Sequence, residues 1–166
     1  MNWNLIWSKN NFLQLDDYPT NNIFYFYQHH LVNLKKKSKI LDNGCGSGRN
    51  FKFLTNLGFD VYGTDISKFI ITKNKKKFKK YKTKFFLGDI RELNFEDNYF
   101  DVIISEASLY YQDISQIRET VNKFYRLLKK DGLIRVYTKS INDNYFMNFD
   151  KRSSKEIIIK KNNWEK

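Results

Sequence analysis

The chain has 166 residues, 41% hydrophobic and 17% aromatic, enough for one domain with a real core and too few for two ordinary ones. That content excludes wholesale disorder, and no stretch nears the roughly 18 unbroken apolar residues of a membrane span. The formal net charge of +12 invites a nucleic-acid reading, yet only six of the thirty basic residues are Arg. Lys, Asn, Ile, Phe and Tyr are abundant together, as A+T-rich coding alone produces. The run "KNKKKFKKYKTK" (73–84) therefore reads as a solvated helix end and loop, and no nucleic-acid partner is expected. The N-terminal residues lack a signal peptide's continuous apolar centre. The single cysteine, Cys45, cannot form an internal disulfide, and the expected location is cytoplasmic.

In chain order, residues 21–34 read as a helix and "SKILDN" (38–43) as a short strand. Phe51, Phe53, Leu54 and Leu57 suit a helix stopped by Gly58. "DVYGTD" (60–65) is a second strand, and Ser67 caps a second core helix that fades into the lysine run. "KFFLGD" (84–89) and "FDVIISE" (100–106) are the third and fourth strands. Asp113 and Gln116 form a capping box for a helix with Ile114, Ile117, Val121, Phe124 and Leu128 on one face; Lys129 and Lys130 close it and Gly132 stops it. "LIRVYT" (133–138) is the fifth strand. The alternation predicts a doubly wound, Rossmann-like α/β domain with a mostly parallel sheet. The single domain 1–166 divides into an N-terminal cap (1–37), a core (38–138) and a short tail (139–166).

The first four strands each close on an acid. They end in Asp42, Asp65, Gly88-Asp89 and Ser105-Glu106, and Asp42 is followed by Asn43-Gly44-Cys45-Gly46-Ser47-Gly48. Any one acid is explained by helix capping or strand termination, but packing does not require four on one edge. That edge is where doubly wound sheets bind ligands. So much glycine serves a sharp turn or the close approach of a ligand. The spacing G-x-G-x-G, with Arg49 next, departs from the dinucleotide G-x-G-x-x-G, and Asp42 would repel a pyrophosphate. A Walker A loop is excluded, since no Gly-Lys-Ser/Thr follows. A positively charged ligand bearing an amino-acid group suits the site.

"ILDNGCGSGRN", followed by "GFDVYGTDIS", "FFLGDIREL", "FDVIISEASLYY" and "LLKKDGLIRVYT", resembles the class I S-adenosylmethionine-dependent methyltransferases over residues 38–138. Asn43, where the family more often has an apolar residue, and the early end of the chain depart from the pattern, and by comparison with the family's usual seven strands the last strands would be reduced or missing. The resemblance implies S-adenosyl-L-methionine as cofactor. Asn43, Gly44, Cys45, Gly46 and Gly48, with Arg49 and Asn50 opening the helix, would lie under its methionine part. Asp42 would take the α-amino group directly or through water. Asp65, beside Ser67, would accept both ribose hydroxyls with its two oxygens. Gly88-Asp89 would take the adenine amino group, with Ile66 and Ile90 on the two faces of the ring. Ser105 and Glu106 would border the sulfonium, and no metal is implied.

Such chemistry needs an acceptor atom aligned with the methyl and, for some acceptors, removal of a proton. Glu106, Tyr110 and Tyr111 are the base candidates because they follow the fourth strand. His29 and His30 lie on the 21–34 helix, which is placed to cap the cofactor; a packing or solvated role is favoured for both. Cys45 reads as a small buried filler. After the fourth strand stands Ser105-Glu106-Ala107-Ser108, not the Pro-Pro motif of amino-methylating DNA enzymes, and cytosine-carbon chemistry lacks its Pro-Cys pair. By fold-level analogy the acceptor is a small metabolite or a sugar or surface-polysaccharide precursor. The alternatives are a truncated cofactor-binding relative without transfer activity, and an RNA-directed methyltransferase. The apolar fifth strand needs a cover. Ile157-Ile158-Ile159 is expected to supply it, within the chain or across a homodimer, with 142–150 as a loop or apolar flap.

Overall fold

The computed structural model describes residues 2–9, 18–139 and 154–161. Six strands form one sheet in the order β3-β2-β1-β4-β5-β6. β1 (Lys39–Asn43), β2 (Asp60–Asp65), β3 (Phe85–Leu87), β4 (Phe100–Glu106) and β5 (Leu128–Lys139) are parallel. β6 (Ser154–Lys160) runs antiparallel along β5, with Ile134 opposite Ile159. The predicted cover of the fifth strand is thus supplied by the same chain. The proposed flap over 142–150 lies outside the described residues.

The two-residue period of the strands sorts their apolar side chains onto two faces. Ile40, Val61, Val102, Ile104 and Leu133 share a core with α2 (Asn21–Phe26), α3 (Arg49–Asn56) and α4 (Lys68–Lys77). Leu41, Tyr62, Ile103 and Ile134 pack with α5 (Ile114–Leu127) on the other face. Strands buried on both faces are what a doubly wound sheet requires. Phe51 of α3, fully buried, stacks against Phe85 of β3 with ring centroids 4.3 Å apart. Truncating such a residue costs about 3–5 kcal/mol. No helix among the described residues is long and apolar enough to cross a membrane.

Three elements differ from the sequence reading, each for a local reason. The helix over 21–34 stays regular only to Phe26 and continues as a π-helical turn, Tyr27–Leu31. Its buried residues are Ile23, Phe26 and Leu31, and the five-residue step from Phe26 to Leu31 matches the wider turn. α5 opens on the predicted capping box, with Gln116 N donating to Asp113 Oδ1 at 2.9 Å, but it ends at Leu127. Leu128 pairs with Phe100 instead, and Lys129 binds Asp101 at 2.9 Å, so both lysines belong to β5. Asp131, not Gly132, takes the positive φ of 61°. The third difference is α1 (Trp3–Lys9), which sequence reading left without a role. Asn4 Oδ1 accepts from Ser67 Oγ and Phe69 N, both at 3.0 Å, and so docks α1 on the start of α4.

Candidate functional site

The chain leaves β1 outward to β2 and β3, then returns to β4 on the other side of β1. The connections therefore diverge above the ends of β1 and β4, and a crevice opens there. In this structure it is a cleft of about 610 Å³, floored by the glycine loop and walled by α1 and the segment after β4. Gly44 and Gly46 have φ of 72° and 49°. A Cβ on Gly44 would lie 2.7 Å from Ser108 Cβ, and one on Gly46 would lie 3.1 Å from the Trp7 ring. Both positions thus require glycine by conformation and by space. Asp65 fixes the loop to the tip of β2: Gly46 N donates to its Oδ2 at 3.1 Å and Ser67 N to its Oδ1 at 2.8 Å. Burial pushes its carboxyl up, and those backbone donors oppose the shift.

Asp42 lies beneath the loop, 1% exposed, and its Oδ2 has no hydrogen-bond partner among the described residues. It faces the same side of the sheet as Ile40 and shares that space with Glu106, Arg49, Asp65 and Arg135. Burial first, then the charge of Glu106, pushes its carboxyl up to about 7. An unpaired buried carboxylate is costly, and a cation delivered at the loop would relieve it.

The remaining acids are already engaged. Arg91 grips Asp89 with two prongs, Nη2 to Oδ2 at 2.6 Å and Nε to Oδ1 at 3.0 Å, and holds its carboxyl below the usual range. Glu106 accepts from Thr20 Oγ1 at 2.7 Å and from Asn50 Nδ2 at 2.8 Å, with the buried Arg135 guanidinium 3.9 Å away. Its carboxylate thus ties the start of α2, the start of α3 and β5 to the tip of β4. Burial pushes the Cys45 thiol up, which suits the filler role and not a nucleophile.

A family model described as a methyltransferase domain matches residues 40–132, more than half of the chain. The chain belongs to the class I S-adenosylmethionine-dependent methyltransferase family. YqeM of Bacillus subtilis, named only provisionally as a methyltransferase, is 31% identical over 106 residues, 62% of this chain and 43% of YqeM. Phosphoethanolamine N-methyltransferase 3 of Arabidopsis thaliana is 34% identical over 116 residues, 66% of this chain and 23% of that enzyme. The crystal structure of the PH0226 protein from Pyrococcus horikoshii OT3 superposes with a TM-score of 0.63 at 30% identity, covering 72% of this chain and 57% of that one. The chain therefore spans less than half the length of the two curated relatives it matches here.

Within this methyltransferase domain, the cleft gathers Asn43, Gly44, Cys45, Gly46, Arg49, Asn50, Asp65, Ile66, Gly88, Asp89, Ile90, Glu106 and Tyr111 from the expected set. Asp42, Gly48, Ser67 and Ser105 stand behind that lining: Ser67 caps α4, and Ser105 Oγ lies 2.6 Å from Ser108 Oγ. The side chain of Tyr110 lies outside the described residues. Asn43, the departure from the family pattern, bonds Thr64 Oγ1 at 3.1 Å and Ser108 Oγ at 3.3 Å, so a polar group here braces the loop against the segment after β4. His29 and His30 are exposed on the π-helical turn and do not line the cleft. The element over the cleft is α1 and not the 21–34 helix. Trp3, Ile6 and Trp7 line the cleft, and Trp3 meets Tyr111 edge-on at 4.5 Å. Their i, i+3, i+4 spacing was the available signal.

Proposed function

We propose that this chain binds S-adenosylmethionine in the cleft above β1 and β4 and transfers its methyl group to a small-molecule acceptor. The observation that carries this reading is Asp42: a buried carboxylate with an unpaired oxygen, under a loop stripped of side chains. A core position has no reason to hold such a group, whereas the cofactor's α-ammonium would restore its ionised form. When bound, the cofactor supplies an electrophilic methyl group on a sulfonium.

The chain's own residues bind and orient. Asp65 holds the loop with one lone pair on each oxygen and keeps the others for ribose hydroxyls. Asp89, whose Oδ1 already accepts from Arg91 N and Nε and whose Oδ2 accepts from Arg91 Nη2, offers its one remaining lone pair, on Oδ2, to the adenine amino group. Ile66, 52% exposed, and Ile90, 3% exposed, supply apolar surface for the ring. Glu106, with Thr20, Asn50 and Arg135 around it, acts as a positioning residue and not as the base. Tyr111, packed on Trp3, is the described base candidate that lines the acceptor side. Ser108, Gln112 and Gln116 make the wall after β4 polar, which favours a hydroxylated metabolite such as a sugar derivative. The test is incubation of the purified chain with methyl-labelled donor and a metabolite pool. Label in a small molecule, with release of S-adenosylhomocysteine, supports the reading. Cofactor binding without release would identify a binding relative that lacks transfer.

A further inference from the structure

Asn74 sits in the middle of α4, inside the lysine run, where Asn is a poor helix former. It is fully buried. Its Nδ2 donates to the Gly46 carbonyl at 2.7 Å and lies 3.8 Å from Cys45 Sγ. Its Oδ1 is buried with no hydrogen-bond partner among the described residues, and a Cβ on Gly48 would lie 3.3 Å from it. Turning the amide over would set two oxygens against each other, so only this orientation serves. A leucine would fill the space without an orphaned oxygen and with better helix propensity. The amide is therefore justified by its bond to the loop.

We infer that Asn74 is a positioning residue for the glycine loop. Asp65 takes the N–H of Gly46 and Asn74 takes its C=O, so both peptide groups flanking that glycine are held. A loop fixed at both peptides presents one surface to the methionine half of the cofactor. This inference rests on the cofactor reading above.

The test compares S-adenosylhomocysteine with adenosine, which lacks the methionine half, in calorimetric titrations of wild type, Asn74→Leu and Asn74→Asp. Circular dichroism checks that each variant is folded. Asn74→Asp, nearly equal in size, carries the comparison should Asn74→Leu fail to fold. Affinity for S-adenosylhomocysteine should fall roughly tenfold or more, as expected for a lost buried hydrogen bond, while adenosine changes less than about threefold. Equal losses for both ligands, or none, would overturn the assignment and leave the cofactor reading intact. A wild-type chain that does not bind S-adenosylhomocysteine would instead remove the cofactor reading, and this inference with it.

Discussion

Replacing Asp42 by Asn should make the free protein more stable and the cofactor bind less well. The folded carboxyl sits at about 7 against an ordinary 3.8, so at pH 8 its ionisation opposes folding. That shift is worth about 4 kcal/mol at 1.36 kcal/mol per pKa unit. Burying an amide donor in its place returns about 1–3 kcal/mol. The net gain at pH 8 is therefore about 1–3 kcal/mol, or roughly 3–10 °C in Tm for a chain of this size. The pH dependence follows from the sign of the shift. The folded state holds the proton longer than the unfolded chain, so wild type loses stability relative to Asp42→Asn as pH rises from about 4 to about 7. Above that the difference is constant. Cofactor binding should run the other way, since its ammonium favours the ionised carboxyl. Wild-type affinity should fall as pH drops below about 7, and the variant should be weak throughout. Thermal melts of both proteins between pH 5 and 9, paired with calorimetric titrations, measure each part. A variant that melts at or below wild type at pH 8, with unchanged cofactor affinity, would refute the account of Asp42.

Asp65→Ala removes the loop tether and, on the reading proposed above, the ribose acceptor, and should weaken S-adenosylhomocysteine binding by about 2–3 kcal/mol in a calorimetric titration. Deleting residues 151–166 removes β6 and bares the edge of β5. That truncation should aggregate on gel filtration, and a soluble, cooperatively melting product would show that β5 tolerates its edge. Trp3 and Trp7 both line the cleft and should report cofactor binding by their fluorescence, so Trp7→Phe should lose part of the change seen in wild type, and a change left whole would show that the glycine loop beside Trp7 is not the binding surface.

The parallel core was legible because its first four strands are short apolar runs closed at or next to an acid, and because Asp113 and Gln116 mark a helix start by local chemistry alone. Asp65, Asp89 and the glycine loop could be placed at the site because the acids and glycines that mark it are contiguous with the strand ends. What sequence reading missed depends on contacts distant in the chain. Asn4 caps α4 across more than sixty residues, and this is what brings Trp3 and Trp7 over the cleft. Asn74 looks like one more polar residue in a solvated run until α4 turns it toward Gly46. Glu106 reads as a base from its position at the tip of β4, yet Thr20 at the start of α2, Asn50 of α3 and Arg135 of β5 converge on its carboxylate. The end of α5 was misread because pairing of Leu128 with Phe100 outweighs the helical spacing that runs through it.

The most direct test of the central claim is a titration of S-adenosylhomocysteine into the wild-type chain, with NAD as the comparison ligand. The account predicts one saturable site per chain, competed by S-adenosylmethionine, and no measurable heat with NAD. No binding of S-adenosylhomocysteine at millimolar concentration, or tighter binding of NAD, would contradict it.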